Sequence, residues 1–506
     1  MTTHLRSWTG TWRARSAAAG LLVTVVALVL AGCGSAIKPD VAAKARAATE
    51  LGSTGNQQAA GSNGPSDSGV VNPGTTDPGT PGTPGSTGGG STSQPGSTAS
   101  GGGGGSTGGG GGSTGGGGGA PPAGVSGASC AGFKNGPGIT STTIRIGNSS
   151  DISGPVPGLF TAAQQATKAY VDYFNSTGAT ICGRKLQLDL YDSRTDAAAD
   201  QTGYAKGCEN DFAMVGSMSS FDSGGAQTAQ SCGLPDIRAI STTTARGNCT
   251  TCFGAQPAGP QAFQKVVSEF IIKHSGGRSA AMLYIDIGAA AANGQSQAGH
   301  EKAAGVNITV EKGIDVADFN YSPYVQALKS ANVTSVQFIA SSAQFARLAQ
   351  AFAQSDYKPK VFLLDPTAYN EDYPKLAGSA AKGTYVFLNF TPFEEARSNR
   401  EMNLYLQYLN QVSPGAKPSF FGLFAWSSAR LFAEQATKLG GKLTRASLIA
   451  SMHKVDNWTD NGAHAPQHVG SKQIGDCWRF LQWNGSAWVP VDGTKYQCHG
   501  LTYASK

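Results

Sequence analysis

The chain has 506 residues, with 38 Lys and Arg against 32 Asp and Glu and a formal net charge of +6. Arginines of the N-terminal leader supply part of that excess, and no Lys/Arg cluster alternates with aromatic residues, which excludes a nucleic-acid groove. Outside the Gly/Ser-rich stretch no Gly-x-Ser-x-Gly elbow occurs, and no Gly-Lys-Ser/Thr phosphate loop is present, so the sequence supports neither catalysis nor a cofactor.

Arg6, Arg13 and Arg15 precede an apolar run, Leu21 to Ala31, that ends at Gly32 and Cys33. This has the form of a signal peptide over residues 1–32, and the run is too short for the ~20 residues that a membrane-spanning helix needs. Leu30-Ala31-Gly32-Cys33 resembles a bacterial lipobox, which implies that Cys33 is diacylated and anchors a lipidated N-terminus, residues 33–51, to the outer face of the cell membrane. The nine cysteines are Cys33 and eight others, and eight in an oxidising compartment favour four disulfides. Among the 105 possible pairings, proximity favours Cys208 with Cys232, Cys249 with Cys252 and Cys477 with Cys498, leaving Cys130 for Cys182.

Residues 52–127 are almost wholly Gly, Ser, Thr, Pro and Asn, with Asp67 and Asp77 as the charges, a composition that cannot bury enough apolar surface to fold. As a Gly-rich random coil this tether spans roughly 45 to 50 Å. Residues 129–506 are too many for one core, so two lobes are expected. Short apolar runs (Thr143 to Gly147, Lys185 to Tyr191, Phe212 to Gly216, Pro235 to Ile240) alternate with helical segments (Thr161 to Asn175, Asp196 to Asn210, Ser223 to Ser231). That alternation predicts parallel βαβ units. In the first of these helices Ala162, Ala166, Ala169, Tyr170, Tyr173 and Phe174 form one apolar stripe.

The alternation restarts after Pro260 with helix Gln261 to His274, strand Ala280 to Ile285, helix Gly294 to Ala304 and strand Asn307 to Gly313. Helix Tyr321 to Ala331, strand Ser335 to Ala340, helix Ala343 to Asp356 and strand Lys360 to Leu364 complete a second lobe. Near the C-terminus, Asn484-Gly485 predicts a hairpin of Arg479 to Trp483 against Ala487 to Val491, whose tryptophans either pack on a lobe or form a carbohydrate platform. Phe420, Phe421, Phe424 and Trp426 open a helix and either fill the core or line a cleft. Cys249-Thr-Thr-Cys252 has redox-motif spacing without the strand-to-helix context of a thioredoxin-like site, and His464 and His468 lie in a polar loop, so a metal is not expected.

Ile144-Arg-Ile-Gly147, Ser153-Gly154-Pro155, Asn175, Gly183-Arg-Lys185, Tyr191-Asp192 and Met214-Val-Gly216 with Ser219-Ser220 follow one another in an order that resembles the branched-chain amino-acid type of extracellular solute-binding protein, over about residues 140–500. The resemblance implies the type I periplasmic-binding fold: two doubly wound parallel-sheet lobes joined by three crossovers, with a ligand between them. Lobe one would hold 129–258 plus 384–470, and lobe two 259–383 plus 471–506. It also implies a monomeric receptor that captures a small polar solute, an amino acid or related compound, for an ABC-type permease. A sensor of the same fold and, more remotely, a tethered hydrolase are the competing readings.

By the same resemblance, Ser220 with Ser219 beside it would take a ligand carboxylate at a helix start, where unpaired N–H groups suit an anion, or would only cap the helix. Thr243 or Thr244 would add hydroxyls after the fourth strand, or make ordinary turn bonds. In lobe two, Asp286 follows strand Ala280 to Ile285, and Asp318 stands where an acid would meet a ligand ammonium. The family's Asp-x-x-x-Tyr-Gly reads Asp286-Ile-Gly-Ala-Ala-Ala-Ala here, which leaves α-amino-acid specificity open.

Overall fold

The computed structural model describes residues 128–276 and 279–504. The leader, Cys33, the segment 33–51 and the tether 52–127 lie outside the described residues, and within them no helix is long and apolar enough to cross a membrane.

The first lobe is built on β1 (Thr143–Ser150), α1 (Thr161–Ser176), β2 (Lys185–Asp192), α2 (Ala197–Asn210), β3 (Ala213–Val215), α3 (Ala226–Ser231), β4 (Asp236–Ser241), α4 (Thr244–Asn248) and β5 (Cys252–Pro257). Its five strands are all parallel in the order β2-β1-β3-β4-β5. Helix α1 buries Ala163, Ala166, Ala169, Tyr170, Tyr173 and Phe174, so the predicted stripe is right except that Ala163 replaces Ala162. The helix predicted from Ser223 begins only at Ala226, because residues 221–225 form turns that bring the Gly225 amide onto Asp200 Oδ2 at 2.9 Å.

The chain then passes to β6 (Phe263–Gln264), α5 (Lys265–Ser275), β7 (Ala280–Ile285), α6 (Gly288–Ala303), β8 (Ile308–Ile314), α7 (Ser322–Ser330), β9 (Ser335–Ile339), α8 (Ser342–Gln354), β10 (Val361–Leu364), α9 (Asp372–Ala377) and β11 (Tyr385–Leu388). It returns to the first lobe for α10 (Arg400–Val412), α11 (Phe420–Leu439) and α12 (Arg445–Met452), and ends in β12 (Cys477–Trp483), β13 (Trp488–Val491), β14 (Gln497–Cys498) and β15 (Leu501–Thr502). The second sheet runs β13-β12-β11-β10-β9-β7-β8, parallel from β7 to β11 and antiparallel at β12 and β13.

The lobe boundary expected at 383/384 is therefore corrected. Strand β11 pairs with β10 and β12 inside the second sheet, so the middle crossover follows Leu388. A short apolar run such as Tyr385-Val-Phe-Leu388 announces a strand but carries no signal of which sheet receives it. Helix α11 is apolar on nearly every face because it lies between α1 and the first sheet, burying Phe424, Trp426 and Leu431. Its start is capped by Ser419, whose Oγ accepts from the Gly422 amide at 3.2 Å.

Among the described residues there are four disulfides, Cys130–Cys182, Cys208–Cys232, Cys249–Cys252 and Cys477–Cys498, the pairs that proximity favours. The Asn484 side chain closes the β12–β13 hairpin by accepting from the Ser486 and Ala487 amides at 2.9 Å each, and Gly485 takes the positive φ of 109° that the turn requires. Trp488 in this hairpin is buried against Tyr369 and Tyr373, a packing role.

Candidate interlobe cleft

Parallel α/β sheets leave their ligand crevices beyond the carboxyl ends of the strands. Here the ends of β1, β3 and β4 in one lobe face those of β7, β9 and β10 in the other, around a cavity of about 210 Å³. Lobe one lines it with Val156, Leu159, Phe160, Met218 and Ile240, and α11 adds Phe420 and Phe421 at its first turn. Lobe two contributes Phe263, Ile285, Ile287, Val316, Ile339, Phe387 and, from β12, Trp478, with Ile474 from the last crossover. The walls are thus mostly apolar, whereas the sequence led us to expect a polar solute. Phe160 and Phe421 meet edge to face at 4.6 Å, and Trp478 packs on Phe387 at 5.2 Å.

Ser219 and Ser220 do line the cavity. Their polar groups are largely committed to the buried carboxylate of Asp151. Ser219 Oγ donates to Asp151 Oδ1 at 3.1 Å and the Ser220 amide donates to Oδ2 at 2.8 Å, while Ser193 Oγ and the Thr195 amide complete the set at 2.5 and 3.0 Å. The next amide, of Phe221, donates to Ser219 Oγ at 3.2 Å. Because α3 begins at Ala226, Ser220 does not stand at a helix start as expected.

The other four candidate residues do not line the cavity. Thr243 caps α4, its Oγ1 accepting from the Arg246 amide at 3.4 Å, and Thr244 is exposed; their neighbour Thr242 is the one that reaches the cavity, with its amide and hydroxyl both on Asp222 Oδ2 at 3.2 Å. Asp286 is exposed beyond β7. Asp318 accepts from the Tyr324 hydroxyl in the loop after β8, the edge strand of its sheet.

One carboxyl that the sequence reading passed over does line the cavity: Asp365, at the end of β10. Its Oδ1 accepts from the Thr367 amide at 2.9 Å, and burial away from bulk water pushes its pKa up to about 6 against the pull of the Thr367 hydrogen bonds. The available signal was an acid directly after a parallel strand, in Leu364-Asp365-Pro366.

His464 and His468 do not converge on Cys249 and Cys252. His464 is buried with Nε2 2.8 Å from Ser427 Oγ, and burial pushes its pKa down to about 4. His468 pairs with Asp456 at the surface, and the two cysteines form their buried disulfide.

Residues 143–487 match the model of a family described as periplasmic binding protein. The chain belongs to that family. Its solved relatives share the type I periplasmic-binding fold at low identity. The branched-chain amino-acid transporter substrate-binding protein LivJ of Streptococcus pneumoniae, in complex with isoleucine, is 15% identical with a TM-score of 0.60, covering 70% of this chain and 99% of that one. A fatty acid ABC transporter substrate-binding protein from Thermomonospora curvata is 18% identical with a TM-score of 0.59, covering 72% and 95%. A solute-binding protein of an R. palustris ABC transporter, in complex with 4-hydroxybenzoate, is 16% identical with a TM-score of 0.59, covering 70% and 98%. No curated protein matches in sequence.

Proposed function

We propose that this member of the periplasmic binding protein family is the extracytoplasmic solute receptor of an ABC-type importer, taking a small molecule with an apolar body into the cleft. The observation that carries this reading is the cavity itself, set between two lobes and walled by Phe160, Phe421, Phe263 and Trp478. Burial of apolar solute surface contributes roughly 25 cal/mol per Å². Contacts to both lobes favour the closed arrangement over the open one, and that difference is what a permease reads. The ligands of the solved relatives, an amino acid and an aromatic acid among them, span enough chemistry that the walls of this cleft, rather than the family, decide the class. In the same reading Cys33 carries the lipid anchor and the 52–127 tether lets a monomeric receptor work away from the membrane surface.

The test is calorimetry of residues 128–506 against a panel of amino acids, sugars, aromatic and aliphatic solutes, with Ala340→Trp as the blocked control. Ala340 lines the cavity, so the indole fills it. Binding that this substitution removes without lowering the melting temperature supports the reading; binding that survives it places the solute elsewhere. Cys33→Ser should release the full-length protein from the membrane fraction.

A further inference from the structure

A cleft can also be read by what it lacks. Among the described residues lining the cavity there is no Lys, Arg or His, and Asp365 is the one charged side chain. Several of the donors that could receive an anion are already taken. At the Ser219–Ser220 turn they serve Asp151, so a carboxylate of the protein itself fills that position. The helix starts on the wall are closed as well. At α6 the Ala289 amide donates to Ser220 O at 2.9 Å and the Ala290 amide to Ile287 O at 3.1 Å. At α8, Ser341 and Gln344 form a reciprocal capping box. A solute carboxylate would lose its hydration, gain no cation and sit in the field of Asp365.

The acceptors point the other way. Asp365 offers a carboxyl with one oxygen on Thr367, and Gln256 and Gln264, 3% and 2% exposed, are lining residues whose Oε1 atoms are buried without a hydrogen-bond partner among the described residues. Rotation about its terminal bond lets each amide present that oxygen to a donor. Aromatic rings at Phe160, Phe420 and Phe421 add negative faces that attract a desolvated cation. Resting on the reading of the cleft as a solute site, we infer that its solute is an apolar amine without a carboxylate, its ammonium on Asp365 and its body against the aromatic wall.

The experiment compares three head groups on two skeletons: 2-phenylethylamine, 2-phenylethanol and 3-phenylpropionate, then hexylamine, hexanol and heptanoate. Affinities are measured by calorimetry at pH 7.5 on residues 128–506, for the native sequence and for Asp365→Asn. The amine should bind at least tenfold more tightly than the carboxylate on a given skeleton, and Asp365→Asn should bring the amine down to the level of the alcohol while the alcohol changes less than threefold. Equal or tighter binding of the carboxylate overturns the inference and leaves the cleft a solute site. No binding of either amine overturns it too, and binding of another solute class in the same cleft would keep the receptor reading standing. An amine preference that survives Asp365→Asn removes that residue from the account and the inference with it.

Discussion

The carbonyl oxygen of Ser220 accepts a hydrogen bond from the Ala289 amide at 2.9 Å, joining the turn after β3 in one lobe to the first turn of α6 in the other. The lobes thus touch at the cleft through backbone atoms. Gly288, just before the donor, has a φ of +46°, and a Cβ there would stand 2.4 Å from that same Ser220 oxygen.

Gly288→Ala should therefore hold the lobes apart. The left-handed conformation costs an L-residue about 1–2 kcal/mol, so the fold survives with a modestly lower melting temperature. Small-angle scattering should show a larger radius of gyration than for the native protein, and solute affinity should fall about tenfold. An unchanged radius would show that this contact does not set the lobe separation.

Glu301 is buried in α6 without a cation, accepting from Gln297 and Gln337, and burial pushes its pKa up to about 7. The folded state therefore holds a proton that the unfolded chain releases near pH 4.3. Stability from this group is full below about pH 4 and is lost as pH rises through about 7. Glu301→Gln should be close to native in stability at pH 5 and more stable by up to ~3 kcal/mol at pH 8. Chemical denaturation at the two pH values checks this; a difference that does not vary with pH would mean that Glu301 is ionised throughout.

The Cys477–Cys498 disulfide ties β14 to β12, and just beyond it the Gly500 carbonyl accepts from the Lys265 amide while β15 pairs with β6. Strand β6 is Phe263–Gln264, part of the cavity wall. Replacing both cysteines with serine should cost about 3 kcal/mol. Hydrogen exchange should rise at Gln264 and Lys265 as well as in the tail itself. Exchange confined to residues beyond 498 would show that the wall does not depend on this staple.

Much of the architecture was legible because it rests on local patterns. The amphipathic stripe of α1, the alternation of strands and helices, and the close spacing of the last three cysteine pairs are all carried by residues near one another in sequence. The sheet that receives Tyr385–Leu388 is a long-range choice that no local pattern records. The site was harder for the same reason. A sequence places residues at strand ends but not their lateral offset from the switch point, so Asp318, beyond the edge strand β8, and Asp365, beyond the inner strand β10, look alike until the strand order is known. Ser219 was found, but that its proton goes to Asp151, distant in sequence, was not visible.

In the described chain every cysteine is joined to the next one along the sequence: 130 to 182, 208 to 232, 249 to 252 and 477 to 498. A polypeptide threaded N-terminus first into an oxidising compartment would bring these eight cysteines to their correct partners in order of arrival, each pair complete before the next begins. Three of these links lie within the first lobe and one within the second, and none bridges the two. Oxidative maturation can thus finish jaw by jaw, and the hinge is never written into the covalent structure.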